Sequence, residues 1–447
     1  VAHNKQDTEL NIDTLVHARW IIPVTPDDRV LEHHSVAVQG GHILELLPTA
    51  EAKKKYSAAN EHEFASHALI PGLINAHTHA AMSLFRGLAD DLPLMTWLND
   101  HIWPAEKRWI SEEFIADGTR LAIAEMLRGG TTCFNDMYFF PDITARIAAE
   151  SGIRAVVGLI MIDFPSAWAE NADEYLHRGI EVHDRYRNHP LIDTAFAPHA
   201  PYSVSDAPLT RIRTLADELG IPIHMHVHET DDEITQSLEQ FGMRPLERLQ
   251  KLGLLSPSLT AVHMTKVEAD EIAAFAQSGA HILHCPESNQ KLANGFCPVA
   301  KYLEAGINVA LGTDGAASNN DLNMFGEMRT ASLLAKGIAH DPSVVPAPTA
   351  LRMATLNGAI ALGIADQTGS LEAGKSADLV AVDFGGIESQ PVYHPISQLV
   401  YATDRSNVTD VWVAGRQLLR NRVLTTLDRD QILESTAHWQ QKIREPV

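Results

Sequence analysis

What most constrains the fold is a change of texture repeated between residues 71 and 365. Eight short apolar runs with strand character occur there: "ALIPGLINAH", "GTTCFNDMY", "IRAVVGLIMI", "IDTAFAPHA", "IPIHMHVHE", "LTAVHM", "AHILHCP" and "INVALGTDG". Longer stretches separate them, most with a helical pattern. "DAPLTRIRTLADELG", for example, has a start signal at Asp206 and a stop signal at Gly220. Strands alternating with helices imply parallel pairing, because parallel neighbours need a long crossover. Eight such units within roughly 300 residues fit a closed (β/α)8 barrel better than an open sheet.

The flanks read differently. Residues 1–70 hold short strand-like pieces, "TLVHARWIIPV" and "HSVAVQGGHILELL", with Gly40-Gly41 as a hairpin turn signal. Residues 366–447 repeat the style in "GSLEAGKSADLVAVDF" and "DVWVAGRQLLRNRVL". Neither flank is sufficient alone. The expected architecture is therefore an α/β chain with a TIM-like barrel over 71–365 and one small β-sandwich built from both termini, residues 366–447 adding a terminal helix. A length of 447 residues, beyond the usual single domain, agrees.

In such a barrel, chemistry belongs at the C-terminal ends of the strands. Those ends carry His77-Thr78-His79 on strand one, His199 on four, His226 with Glu229 on five, His263 on six, His284 on seven and Asp314 on eight. Residues i and i+2 of a strand share a face, so His77 and His79 converge. Two imidazoles suit a divalent metal but need further ligands. The chain has 23 histidines, so a chance His-x-His pair is expected, and "HMHVH" at 224–228 supplies more. Residue types alone leave a metal site and two polar strand ends both open. His224, His226 and His228 would also share one face of a regular strand, so alternation cannot choose among them.

Bulk properties exclude some partners. A formal charge of -22, from 35 basic and 57 acidic residues, argues against nucleic acid or anionic lipid. No uncharged apolar run of about 18 residues marks a membrane span. The first residues, "VAHNKQDTELNIDTL", lack an apolar signal core, and Cys133, Cys285 and Cys297 form no C-x-x-C pair. Both features predict a cytoplasmic protein.

"PGLINAHTHAAMSLFRGLADDLPLMTWL", "HVHETDDE", "AVHM" and "LGTDGAASNN", in this order, resemble the 5'-methylthioadenosine/S-adenosylhomocysteine deaminase branch of the amidohydrolase superfamily. The resemblance implies one divalent metal ion per chain, zinc by expectation, held by His77, His79, His226 and Asp314. It also implies a nucleoside substrate and a homo-oligomer. Glu229, three residues after His226, would protonate adenine N1 and shuttle protons; Asp314 would take a proton from water; His263 would orient the attacking oxygen. Trp97 resembles the aromatic wall of the substrate site, Glu106 the acceptor for both ribose hydroxyls, and His199 the group near purine N3 and the ribose. His224 and His228 read as structural. His284 in "HCPESN" resembles a recurrent family position, and a structural or pocket-wall role and direct catalysis both stay open for it.

Two departures sharpen the expectation. Binuclear superfamily members carry a lysine on strand four, and "LIDTAFAPHAPYS" has none, so one metal is expected. Members that use S-adenosylhomocysteine hold its carboxylate with arginines in and after strand three, whereas residues 155–177 contain neither Arg nor Lys. A preference for 5'-methylthioadenosine, whose thioether end is neutral, follows. The alternatives within the superfamily are an adenosine-preferring enzyme, a guanine or 8-oxoguanine deaminase, and a triazine hydrolase. A non-catalytic scaffold is a remote fourth, since such a protein would be expected to have lost ligands.

Overall fold

The computed structural model describes residues 9–26 and 28–444. The N-terminal flank contributes β1 (Leu10–Ile21), β2 (Leu31–Gln39), β3 (His42–Pro48) and β4 (Tyr56–Pro71). Gly40 and Gly41 join β2 to β3 at φ +57° and +80°, the left-handed conformation that a two-residue hairpin demands. β1 runs antiparallel to β2 and parallel to β4.

The barrel strands follow: β5 (Leu73–Thr78), β6 (Thr131–Asp136), β7 (Arg154–Met161), β8 (Ile192–Pro198), β9 (Ile223–Val227), β10 (Leu259–His263), β11 (His281–His284) and β12 (Val309–Leu311). They pair in chain order, and every pairing is parallel. All eight positions of β7 are buried, as a parallel strand covered on both faces requires. Side chains and backbone draw the ends of the series together. Asn75 and Thr313 exchange two hydrogen bonds of 2.8 and 3.0 Å, and the Asp314 N–H donates to the His77 carbonyl at 3.0 Å. The last strand is thereby fixed against the first, beside the two histidines that open the site.

The C-terminal flank adds β13 (Leu379–Asp383), β14 (Val408–Val413), β15 (Arg416–Arg420) and β16 (Val423–Leu424). The two flanks form one hydrogen-bonded sheet in the order β16-β15-β14-β13-β4-β1-β2-β3, with the antiparallel β13–β4 pair as its seam. Val16, Val36, Leu69, Leu379 and Trp412 share one core there, so both termini supply it. Buried Arg154 at the start of β7 ties this sheet to the barrel through Asp378 at 3.1 Å and Ser376 at 3.1 Å. The terminal helix Arg429–Arg444 returns to the helix Glu112–Arg128, where Trp439 meets Phe114 edge-on and donates to Asp117 at 3.0 Å.

One expected strand is two. "ALIPGLINAH" divides at Gly72, where β4 leaves the terminal sheet and β5 enters the barrel. A Cβ on Gly72 would stand 1.8 Å from Thr132 Oγ1, so only glycine lets the chain pass β6 at that point. Among the described residues no helix is long and apolar enough to cross a membrane.

Candidate active site

His77 is the next-to-last residue of the fully buried β5, and His79 lies just beyond that strand at the start of the 3-10 turn Ala80–Phe85. His226 is the fourth residue of β9, and Asp314 follows β12 at φ +63°. The ligand atoms of His77, His79 and His226 lie within 4.8 Å of one another. Asp314 Oδ1 is 3.4 Å from His77 Nε2 and 3.3 Å from His79 Nε2, and His226 Nε2 is 3.2 Å from His77 Nε2.

The opposite ring edges are engaged elsewhere. His79 Nδ1 donates to the Met137 carbonyl, His226 Nδ1 to the His199 carbonyl at 2.8 Å, and His77 Nδ1 lies 2.8 Å from His224 Nε2. A hydrogen on Nδ1 directs Nε2 toward the centre, as a metal ligand needs. Against the effect of burial, Asp314 raises the His79 imidazole to about 9, so a cation taking up His79 would displace a proton from its Nε2. Asp314 is oriented as well: Ser288 and Ser318 donate to Oδ2 at 2.6 and 2.8 Å, and the Gly315 N–H donates to Oδ1 at 2.7 Å. Burial alone would raise its pKa, yet hydrogen bonds and charge from His77 and His79 hold it well below the usual carboxylate range. Three imidazoles and one ionised carboxylate therefore make a donor set that fits a divalent cation.

Glu229 and His263 complete the reactive cluster. His263 Nε2 lies 3.6 Å from Glu229 Oε1, and its Nδ1 is 2.7 Å from Asn289 Oδ1. Burial raises the Glu229 carboxyl above its ordinary value. Its backbone is pinned too. Glu233 accepts the N–H groups of His228 and Glu229 at 2.9 and 2.8 Å, while Thr265 Oγ1 donates to the Glu229 carbonyl at 2.8 Å.

One cavity gathers His79, Trp97, Glu106, His199, His226, Glu229, His263 and Asp314. His77 is fully buried and is absent from the cavity lining. Glu106 enters from the short helix Trp103–Trp109 and accepts from the Tyr138 hydroxyl at 2.6 Å. Burial pushes its pKa up to about 7, against the Tyr138 hydrogen bond and the charge of His79. His199 is lowered to about 3, chiefly by burial, and is neutral. Trp97 is 6% exposed and donates to the Ala89 carbonyl at 3.1 Å, so it is packed as well as lining. The lining also includes the apolar side chains of Ile160, Ile162 and Phe164, at and just after the end of β7.

The remaining histidines separate clearly. His224 lies deeper in the barrel and touches His77. His228 departs from the strand pattern: β9 ends at Val227, and His228 takes φ +54° and accepts the Leu246 N–H at 3.0 Å. His284 is buried and does not line the cavity. Sequence reasoning missed Tyr138, Asn289, Asn294 and Glu233. Asn294 donates to Glu229 Oε1 at 2.8 Å. The signal for Asn289 was present in "HCPESNQK", directly after a strand end; Asn294 and Tyr138 lie on loops whose path no local pattern gives.

Residues 68–418 match the amidohydrolase family. A 5-methylthioadenosine/S-adenosylhomocysteine deaminase of Teredinibacter turnerae is 50% identical over 432 residues, covering 97% of this chain and 98% of that protein. The crystal structure of an adenosine deaminase from Xanthomonas campestris with bound zinc superposes with a TM-score of 0.97 at 52% identity, covering 98% and 99% of the two chains. An atrazine chlorohydrolase of Arthrobacter aurescens TC1, 24% identical with a TM-score of 0.88 over 95% of this chain and 99% of its own, shares the fold. With a match over most of its length and relatives half identical from end to end, this chain belongs to the amidohydrolase family.

Proposed function

We propose that this chain is a zinc-dependent aminohydrolase that converts 5'-methylthioadenosine to 5'-methylthioinosine and ammonia, with one zinc ion held by His77, His79, His226 and Asp314. The observation that carries the reading is the meeting of that donor set with Glu229, His263 and Glu106 in one cavity. A single ion in the cavity is supported by the one set of donors that meets there and by β8, which has no lysine. Zinc in such a set lowers the pKa of water to about 7.

The chain's own residues account for the proton inventory. Deamination adds water at C6, places a proton on N1 and expels ammonia. Protonated Glu229 gives its proton to N1, and Asp314 accepts one from the attacking water. Asp314 returns its proton to the amine as ammonia leaves, and the second water proton, released from the C6 hydroxyl as the carbonyl forms, restores Glu229. His263, its Nδ1 held by Asn289 Oδ1 at 2.7 Å, turns Nε2 toward the attacking oxygen and orients it. Trp97 walls the purine, and His199 stands toward purine N3 and the ribose. The cysteines are buried and unpaired, which supports a reducing, cytoplasmic setting.

Glu106 gives the ribose specificity, because an ionised carboxylate accepts both hydroxyls of a diol. Its pKa of about 7 fixes a pH dependence. Protonation removes acceptor capacity as pH falls through that value, so KM for the nucleoside rises about tenfold for each unit below it, with kcat changing less. KM measured from about pH 5.5 to about pH 8 tests this, and Glu106→Gln should flatten the dependence at a high KM.

The 5' substituent meets Ile160, Ile162 and Phe164, which carry no charge. Lys266, on a loop, and Lys291, at the end of the helix Pro286–Lys291, are already paired with Asp231 and Asp90 at 2.6 Å each. The carboxylate of S-adenosylhomocysteine would therefore forgo a charged hydrogen bond worth about 1.5 to 3 kcal/mol, roughly tenfold to a hundredfold in affinity. The expected result is that kcat/KM for 5'-methylthioadenosine exceeds that for S-adenosylhomocysteine by about tenfold or more. Equal values would overturn the preference.

A further inference from the structure

A second concavity lies away from the catalytic cavity. It encloses about 850 Å³ between the 3-10 turn Ala80–Phe85, the helix Glu112–Arg128, Arg405, Arg422 and the terminal helix. In a chain of net charge -22, its lining holds six arginines against two carboxylates, Glu125 and Asp404. That inversion of sign is local, and it requires an account.

Arg86 and Arg405 are neutralised, since both pair with Glu125, and Arg405 also lies 3.5 Å from Asp321. Arg128 and Arg422 are not. Arg128 Nη1 donates to the Arg422 carbonyl at 2.6 Å, and Arg422 Nη1 lies 3.5 Å from the Arg128 carbonyl. Arg422 Nη1 also reaches the carbonyls of Val408 at 2.6 Å, Ser406 at 2.9 Å and Arg405 at 3.0 Å. One nitrogen of each guanidinium is thus committed to backbone. Among the described residues, Nε and Nη2 of both make no hydrogen bond, and neither group has an ion-pair partner. Both side chains are partly buried. Burial, followed by the charge of Arg128, lowers the pKa of Arg422, and the opposing charge of Asp404 only partly offsets this. Two adjacent cations in this state repel, and an anion between them relieves the repulsion.

We propose that this concavity binds a phosphate-bearing small molecule, its oxyanion bridging the free Nε and Nη2 edges of Arg128 and Arg422. Two planar forks present four N–H directions or more, which the three outer oxygens of a phosphate ester serve together; a carboxylate has two oxygens and matches one fork. Leu84, Leu121 and Ile432 in the lining offer cover for the organic part, and the volume lies within the range of small-molecule sites.

The test uses the zinc-loaded protein and inorganic phosphate as probe, with ionic strength held constant by sodium chloride, read by isothermal titration calorimetry and by the shift in Tm. One saturable site per chain is expected. Arg128→Gln should weaken it about tenfold or more, and Arg422→Lys, which keeps charge but loses the fork, should weaken it less. Asp314→Asn should leave the response intact, which separates this site from phosphate on the metal. If Arg422→Lys does not fold, Arg128→Gln alone decides. The proposal fails if no saturable heat appears, or if Asp314→Asn rather than Arg128→Gln abolishes it. It also fails if Arg128→Gln only dissociates an oligomer in sedimentation without any phosphate binding, because a second copy of the chain would then be the occupant.

Discussion

Asp314→Asn should lower kcat/KM for 5'-methylthioadenosine by about 10⁴-fold or more, roughly 5.5 kcal/mol of transition-state stabilisation, and should bring bound zinc well below one ion per chain. Asp314 is the one carboxylate among four donors, and its Oδ1 lies near the Nε2 atoms of both His77 and His79. Asparagine removes the charge and the proton acceptor together. It also keeps the backbone, because Asn tolerates the left-handed conformation that this position adopts at φ +63°. Ser288 and Ser318 can still donate to a side-chain oxygen there. A near-native Tm with metal and activity both lost is therefore the expected combination, read by metal analysis and steady-state kinetics. Native turnover with full zinc occupancy would exclude Asp314 from both roles.

Glu229→Gln should separate chemistry from metal binding. Positioned proton transfer contributes about 10² to 10⁴ in rate, so kcat should fall by that order while zinc content and KM stay close to native. The variant suits the question because the amide oxygen can keep the hydrogen bond from Asn294, and the backbone stays held by Glu233 and Thr265. Only the transferable proton is lost. A parallel loss of zinc would instead make Glu229 a ligand, and an unchanged kcat would move proton delivery to another group.

These effects rest on residues whose chain positions were legible before any coordinates. Parallel strands expose their C-terminal ends on one face, so reading strand ends in order narrowed the candidates to a few residues that include His77, His263 and Asp314, while the resemblance to known deaminases, not alternation, singled out His226 from His224 and His228. Local pattern failed where two sheets compete for one run of residues. "ALIPGLINAH" is uniformly apolar, and the break at Gly72 follows from Thr132 crossing beside it, a contact between residues 60 apart in sequence. It failed again at His228, where strand alternation stops one residue earlier than the histidine spacing suggests. Tyr138 and Asn294 were invisible for a related reason: each acts on a carboxylate supplied by another segment, Glu106 or Glu229, and nothing in the local sequence records that meeting. The terminal sheet was legible as two matching halves, but its seam between β4 and β13 depends on pairing across some 300 residues.

The central claim is that the cavity hydrolyses the amino group of an adenine nucleoside, and product analysis tests it most directly. Zinc-loaded protein is incubated with 5'-methylthioadenosine and, separately, with guanine and 8-oxoguanine, and ammonia and the purine product are quantified together. The account predicts 5'-methylthioinosine and ammonia in equal amounts from the nucleoside, with little turnover of either free base. Turnover confined to the free bases, or release of purine without ammonia, would contradict it.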